Sequence, residues 1–281
     1  MKTMLTLAML MLSAAAARAQ DELRLSADLW KDPSPFTSEA GPTLPWENQD
    51  DFDRGRGRKS DTDLIVNAAI HGHYSMPFGS ADRDSVAYNN PAGGVTVLID
   101  QHVSWNDLFH PGWGFDLEFD LMFGDASKQG RMRTPGFDYG GFVAYMSDTY
   151  GGSSVSDDFN ARVKANNLDV TTILVGGKVI QSFQDGFFAD GRFGIGAVHY
   201  GSVQAEFSGP AIPTFRDELL EETWTFAVDL RGHGGIRLGP LGLTIGMGFR
   251  FMVPPNEGSR VNLDSGPFWT WDLDLGAELG F

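Results

Sequence analysis

The sequence predicts an all-β fold, a transmembrane antiparallel up-and-down β-barrel of eight strands, with ten as the alternative. Three observations carry this. From residue 63 onward, segments alternate at period 2 between bulky apolar residues and a row of glycine and isolated charge. The connections between those segments are by turns long and short, as in a barrel with short turns at one end and long loops at the other. The chain also opens on an export signal.

Residues 1–19 carry Lys2, an apolar run from Met4 to Leu12 and a small-x-small site at Ala17-Arg18-Ala19. This reads as a secretory signal peptide cut before Gln20, because the run is too short to span a bilayer. Residues 20–62 form a Pro-rich, charged extension with DPSPF, GPTLPWENQDD and RGRGRK. Arg54, Arg56, Arg58 and Lys59 are flanked by Asp50, Asp51, Asp53, Asp61 and Asp63, so local neutralisation is favoured over contact with anionic lipid. The barrel domain is expected over 63–281.

The strongest strands follow. In GFDLEFDLMF, Phe115, Leu117, Phe119, Leu121 and Phe123 oppose Asp116, Glu118 and Asp120. FFADGRFGIGAVHY sets Phe193 and Ile195 against Asp190 and Arg192, and WTFAVDLRG sets Trp224, Phe226, Val228 and Leu230 against Asp229 and Arg231. In LGLTIGMGFRFMV, Arg250 shares its row with glycines, and WTWDLDLGAELGF places Asp272, Asp274 and Glu278 opposite Trp269, Trp271, Leu273, Leu275 and Leu279. Segments 63–74, 94–104, 136–147 and 168–182 alternate more weakly. That makes nine candidates, and termini on one side of a membrane require an even count. Eight strands beginning near 94 is the first choice; ten would use 63–74 and one strand not visible in the pattern.

Which row faces inward decides the class. A solvated outer row favours Thr, Lys, Glu and Arg, whereas glycine weakens a strand unless space is short. Glycine beside isolated charge therefore suits a crowded interior, and the apolar row suits lipid. A mean hydropathy of −0.19 is compatible with this, because only alternate residues meet lipid. Net charge of −16 argues against nucleic acid as a partner, and with no cysteine there is no disulfide framework.

Asp274-x-Gly276-x-x-Leu279-x-Phe281 resembles the C-terminal assembly signal of small bacterial outer-membrane β-barrel proteins. That resemblance implies insertion by the barrel-assembly machinery, a location in the bacterial outer membrane among its lipids, and closure of the last strand on the first. The proposed interior charges are Asp116, Glu118, Asp120, Asp190, Arg192, Asp229, Arg231, Arg250, Asp272, Asp274 and Glu278. With eight strands they would form a salt-bridge plug, and with ten a charged constriction preferring cations or neutral solutes. Arg250 is expected to meet Asp272 directly across two strands, and Asp190 and Arg192 to meet Arg231 and Asp229 diagonally.

Chemistry is sparse. His71 and His73 share a face, but no third ligand has suitable spacing, so no metal and no cofactor is expected. His73-Tyr74-Ser75 resembles the His-x-Ser of outer-membrane lipid A deacylases, although in that family the pair lies late in the chain. The expected protein is a monomer and not an enzyme, with an envelope-structural role or slow passage of small solutes. The alternatives are a lipid-modifying enzyme, binding or adhesion through the loops SDTYGGSSVSDDFNARVKANN and SGPAIPTFRDELLEE, or a secreted soluble β-sandwich. Arg216, Asp217, Glu218, Glu221 and Glu222 read as a solvated loop or short helix.

Overall fold

The computed structural model describes residues 63–82, 85–90, 94–124, 136–183, 186–210 and 212–280. The signal peptide, the extension over 20–62 and Phe281 lie outside the described residues. Eight strands close into a barrel: β1 (Asp63–Phe78), β2 (Phe109–Gly124), β3 (Gly136–Gly152), β4 (Leu168–Ser182), β5 (Phe187–Tyr200), β6 (Thr223–Leu238), β7 (Leu241–Met252) and β8 (Phe268–Gly280). Each pairs antiparallel with its chain neighbours, and β1 closes on β8 through a register running from Asn67↔Gly280 to Phe78↔Trp269. Closure removes both edges, so every strand has two partners.

The strand count is eight, but the first strand is 63–78, not a segment near 94. Of the segment 94–104, only Val95–Ile99 is a longer strand, and it belongs to a separate small sheet. Five residues extend about 17 Å, too short to cross a bilayer at a tilt. The weak alternation of 63–74 arises because Gly72 and Ala68 interrupt an outward row otherwise made of Leu64, Val66, Ile70 and Tyr74.

Large apolar side chains are exposed on all eight strands, among them Trp113 and Phe119 on β2, Ile245 on β7 and Leu275 on β8. Four long connections share one end of the barrel: 79–108, 153–167, 201–222 and 253–267. At the other end lie the tight Gly239-Pro240 turn, with Gly239 at φ 70°, and the connection 183–186, with Gly186 at φ 84°. Residues 125–135 lie outside the described residues.

The long connections are folded. Strands Ser154–Ser156, Arg162–Ala165, Val203–Gly209 and Ile212–Leu220 form a four-stranded sheet, and Val86–Asn89, Val95–Ile99 and Val261–Asn262 form a three-stranded one. The Arg216–Glu218 segment is therefore strand, not a loop or helix. Its apolar partners explain this: Phe215 stacks on Phe207 of the adjoining strand at 5.4 Å, and Tyr88 packs against both. One continuous apolar cluster runs from these sheets into the barrel mouth through Trp105, Phe109, Tyr150, Tyr200, Met252 and Phe268.

Candidate functional site

The eleven charged residues named from sequence all point into the barrel, and none is more than 8% exposed. Arg231 on β6 is a hub, reaching Asp272 and Asp274 of β8 at 2.6 Å each and Asp229 on its own strand at 3.0 Å. Arg250 on β7 bonds Asp148 at 2.7 Å and Asp272 at 3.0 Å. Arg192 on β5 donates to Asp116 at 2.7 Å, contacts Glu118 and lies 3.7 Å from Asp229. Glu278 pairs with Arg237 at 3.0 Å. Buried charges are tolerable only when paired in this way.

Two pairings differ from the simple register. Arg250 sits opposite Thr270, and Asp272 opposite Gly248, so Arg250 and Asp272 meet as a diagonal pair, not a direct one. The long guanidinium spans the two-residue offset. Asp190 lies opposite His233 and bonds it at 2.8 Å instead of meeting Arg231, which stands across from Arg192. The reason is register: His233 continues the inward row of Asp229 and Arg231, and the strand offset sets it, not Arg231, across from Asp190.

Sequence reasoning missed Asp148, Lys178 and His233. Lys178 on β4 joins Glu118 at 2.6 Å and Asp120 at 2.7 Å. Its strand alternates weakly, so nothing marked it as inward. Asp148 and His233 were legible, since each extends an inward row by two or four residues past the strand core. Among the described residues, the barrel interior holds ten buried carboxylates, with Asp138 included, against Lys178 and three arginines. Three histidines complete it. His71 lies 2.7 Å from Asp116, His73 lies 2.6 Å from Asp148, and the rings of His71 and His233 stack at 4.8 Å. No group of three or more metal-ligating side chains assembles among the described residues.

The inward glycines now have a steric explanation. His71 faces Gly276, His73 faces Gly114, His233 faces Gly246, Arg231 faces Gly248 and Glu278 faces Gly242. A Cβ on any of these glycines would collide with the side chain opposite. In a barrel this narrow, a ring or guanidinium fits only where the neighbouring strand gives up its side chain.

Both ends of this polar layer are apolar. At the short-turn end, Ile65, Met122, Ile180 and Phe188 form a cluster, with the Arg237 guanidinium 4.9 Å above the Phe188 ring. At the loop end, Phe268 is surrounded by Trp105, Tyr150 and Tyr200 at 5.1, 5.6 and 6.1 Å. Trp105 is anchored by a hydrogen bond from its ring nitrogen to the Gly266 carbonyl at 3.3 Å. Ser75 lies beneath this layer, fully buried, donating to Asp272 at 2.5 Å and bonded to Tyr150 at 2.8 Å.

Of the assembly-signal residues, Asp274 faces the interior, Gly276 accommodates His71 and Leu279 faces outward. No protein-family model matches the chain, and no curated protein matches it in sequence. Solved structures similar in fold include Ail, the attachment invasion locus protein of Yersinia pestis, at 13% identity over 78% of this chain and 99% of that one, TM-score 0.34. The outer membrane protease OmpT of Escherichia coli matches at 11% identity over 79% and 98%, TM-score 0.35. OprG of Pseudomonas aeruginosa, an outer membrane protein, matches at 12% identity over 78% and 96%, TM-score 0.27.

Proposed function

We propose that this protein is a monomeric, non-enzymatic β-barrel of the bacterial outer membrane, closed to solutes, whose folded loop end is a binding surface outside the cell. The observation that carries this reading is the stacking of a paired, buried charge layer between two apolar layers. The exposed apolar row on all eight strands supports residence in lipid, since a water-facing barrel would strand it. Surface loops on a rigid barrel are where binding concentrates, and here the loops have their own core. Insertion by the barrel-assembly machinery, after removal of residues 1–19, belongs to the same reading.

The lipid-modifying alternative needs Ser75 or His73 within reach of lipid, and both side chains are buried in the barrel interior. Slow passage of small solutes needs both apolar layers to part. Planar-bilayer recording on refolded protein tests the reading. No steady conductance is expected, and a steady ohmic conductance would overturn it in favour of passage.

A further inference from the structure

We propose that the edge of strand Val95–Ile99 left unpaired among the described residues takes up an extended, basic peptide segment of another protein as an added strand, with one apolar side chain of that peptide seated in the adjoining groove. This deepens the surface-binding reading and rests on it.

Val95–Ile99 is the last strand of its sheet: Val86–Asn89 pairs with one side, and no described strand pairs with the other. Its sequence, VTVLI, has neither charge nor proline, the usual guards on an exposed edge. A groove of about 290 Å³ adjoins it. Val97 and Leu98 both line the groove, yet they point to opposite faces of the strand, one buried and the other 43% exposed. A cavity touched by both lies along the strand's edge, not on either face.

The far wall of the groove is rigid. The Asp157 carboxylate accepts hydrogen bonds from the backbone of Phe159 at 2.9 Å and Ala161 at 2.8 Å, and Asn160 sits at φ 62°. This turn holds up Phe159, which is 71% exposed. The Gln101 side chain donates to the Ser156 carbonyl at 3.3 Å and ties the end of the edge strand to that turn. Slot and edge are thus held in one frame.

Charge selects the partner. Asp100 and Asp157 line the groove and Asp158 adjoins it, while the four loop-end connections hold thirteen acidic residues against five basic ones. A second copy of this chain would bring the same carboxylates against themselves. A basic segment gains from them, and its backbone supplies the ladder that the open edge lacks. The groove, at the small end of the range of about 300–1,000 Å³ for ligand pockets, suits one side chain and not a whole ligand.

The test uses full-length mature protein refolded in nanodiscs of uncharged lipid, with fluorescein-labelled Thr-Lys-Val-Phe-Val-Lys-Thr as probe, followed by anisotropy. Saturable binding is expected. N-methylation of alternate peptide nitrogens in one of the two registers, and replacement of both lysines by glutamate, should each weaken it about tenfold. Asp100→Lys and Phe159→Ser, both at exposed positions, should weaken it by about threefold or more while heat-modifiable gel mobility stays unchanged. No saturable binding, equal binding of the glutamate peptide, or indifference to N-methylation in both registers overturns the proposal. So does self-association of the protein abolished by Leu98→Lys, which makes a second copy the occupant. A negative peptide result with a non-conducting barrel rejects this proposal alone, whereas steady conductance rejects the sealed-barrel reading whatever the peptide does.

Discussion

Replacing Arg231 by methionine removes the most connected cation of the interior while keeping much of its bulk over Gly248. Its three hydrogen-bonded carboxylates are affected unequally. Asp272 keeps Arg250 at 3.0 Å, and Asp229 keeps Arg250 at 3.6 Å and Arg192 at 3.7 Å. Asp274 is left with only histidines, His233 at 3.7 Å and His73 at 4.0 Å. The variant therefore strands one carboxylate in a layer that water does not reach. Breaking a buried pair in this way costs about 3–5 kcal/mol, against about 0–1 kcal/mol for a pair that water screens. Adding Asp274→Asn removes the stranded charge and should recover at least about 2 kcal/mol, even though it is a second substitution at the same cluster. Urea unfolding of refolded protein in lipid vesicles, followed by tryptophan fluorescence, measures both. The reasoning is refuted if Arg231→Met costs less than about 1 kcal/mol, since the interior is then hydrated. It is equally refuted if the double variant is no more stable than the single one.

Gly276→Ala pushes a Cβ into the His71 ring and should cost roughly 1–3 kcal/mol, whereas Gly72→Ala, with open space around it, should be neutral or stabilising by up to about 1 kcal/mol; the same unfolding assay compares them. Trp105→Ala removes the largest fully buried side chain under the loops and should cost about 3–5 kcal/mol, read as faster hydrogen exchange in 79–108 and 261–268 with the barrel strands still protected. At the loop end, the Tyr88 hydroxyl donates to Asp217 and Arg260 reaches the same carboxylate at 2.9 Å, joining the two small sheets. The Tyr88 hydrogen bond comes first among the influences that hold Asp217 below the usual carboxylate range. A lowered folded pKa means that the contribution is present above the unfolded value of about 3.9 and lost as pH falls through the lower one. Exchange in 86–99 and 212–220 should therefore accelerate on acidification below about pH 4, and Asp217→Asn should abolish that dependence; an unchanged pH profile in the variant counts against the clamp.

The sequence by itself determined the two-faced strands and the inward direction of Asp116, Arg192, Arg231, Arg250, Asp272 and their neighbours. Side-chain parity in a strand is a local property, so a row of alternating residues needs no tertiary information to be read. Parity also carries past the strand core, which is why Asp148 and His233 were legible in principle. What parity cannot supply is the offset between strands. A slip of two residues keeps every face, so the diagonal meeting of Arg250 with Asp272, and the direct meeting of Asp190 with His233, were decided only when the barrel closed and set its stagger. The assignment of 63–78 over 94–104 as the first strand was likewise tertiary. Both segments are short on alternation, and only pairing with β2 and β8 gives one of them the length and partners to close the ring. The loop end was least legible, because Tyr88 is far in sequence from Phe207 and Phe215 and the three carry no periodic signal. Their burial, and with it the strand character of Ile212–Leu220, depends on sheets assembled from four separate connections. The pairing of inward glycines with histidine, arginine and glutamate belongs to both levels. Glycine was visible in the inward row, but the side chain each one makes room for lies on the neighbouring strand, and only the register names it.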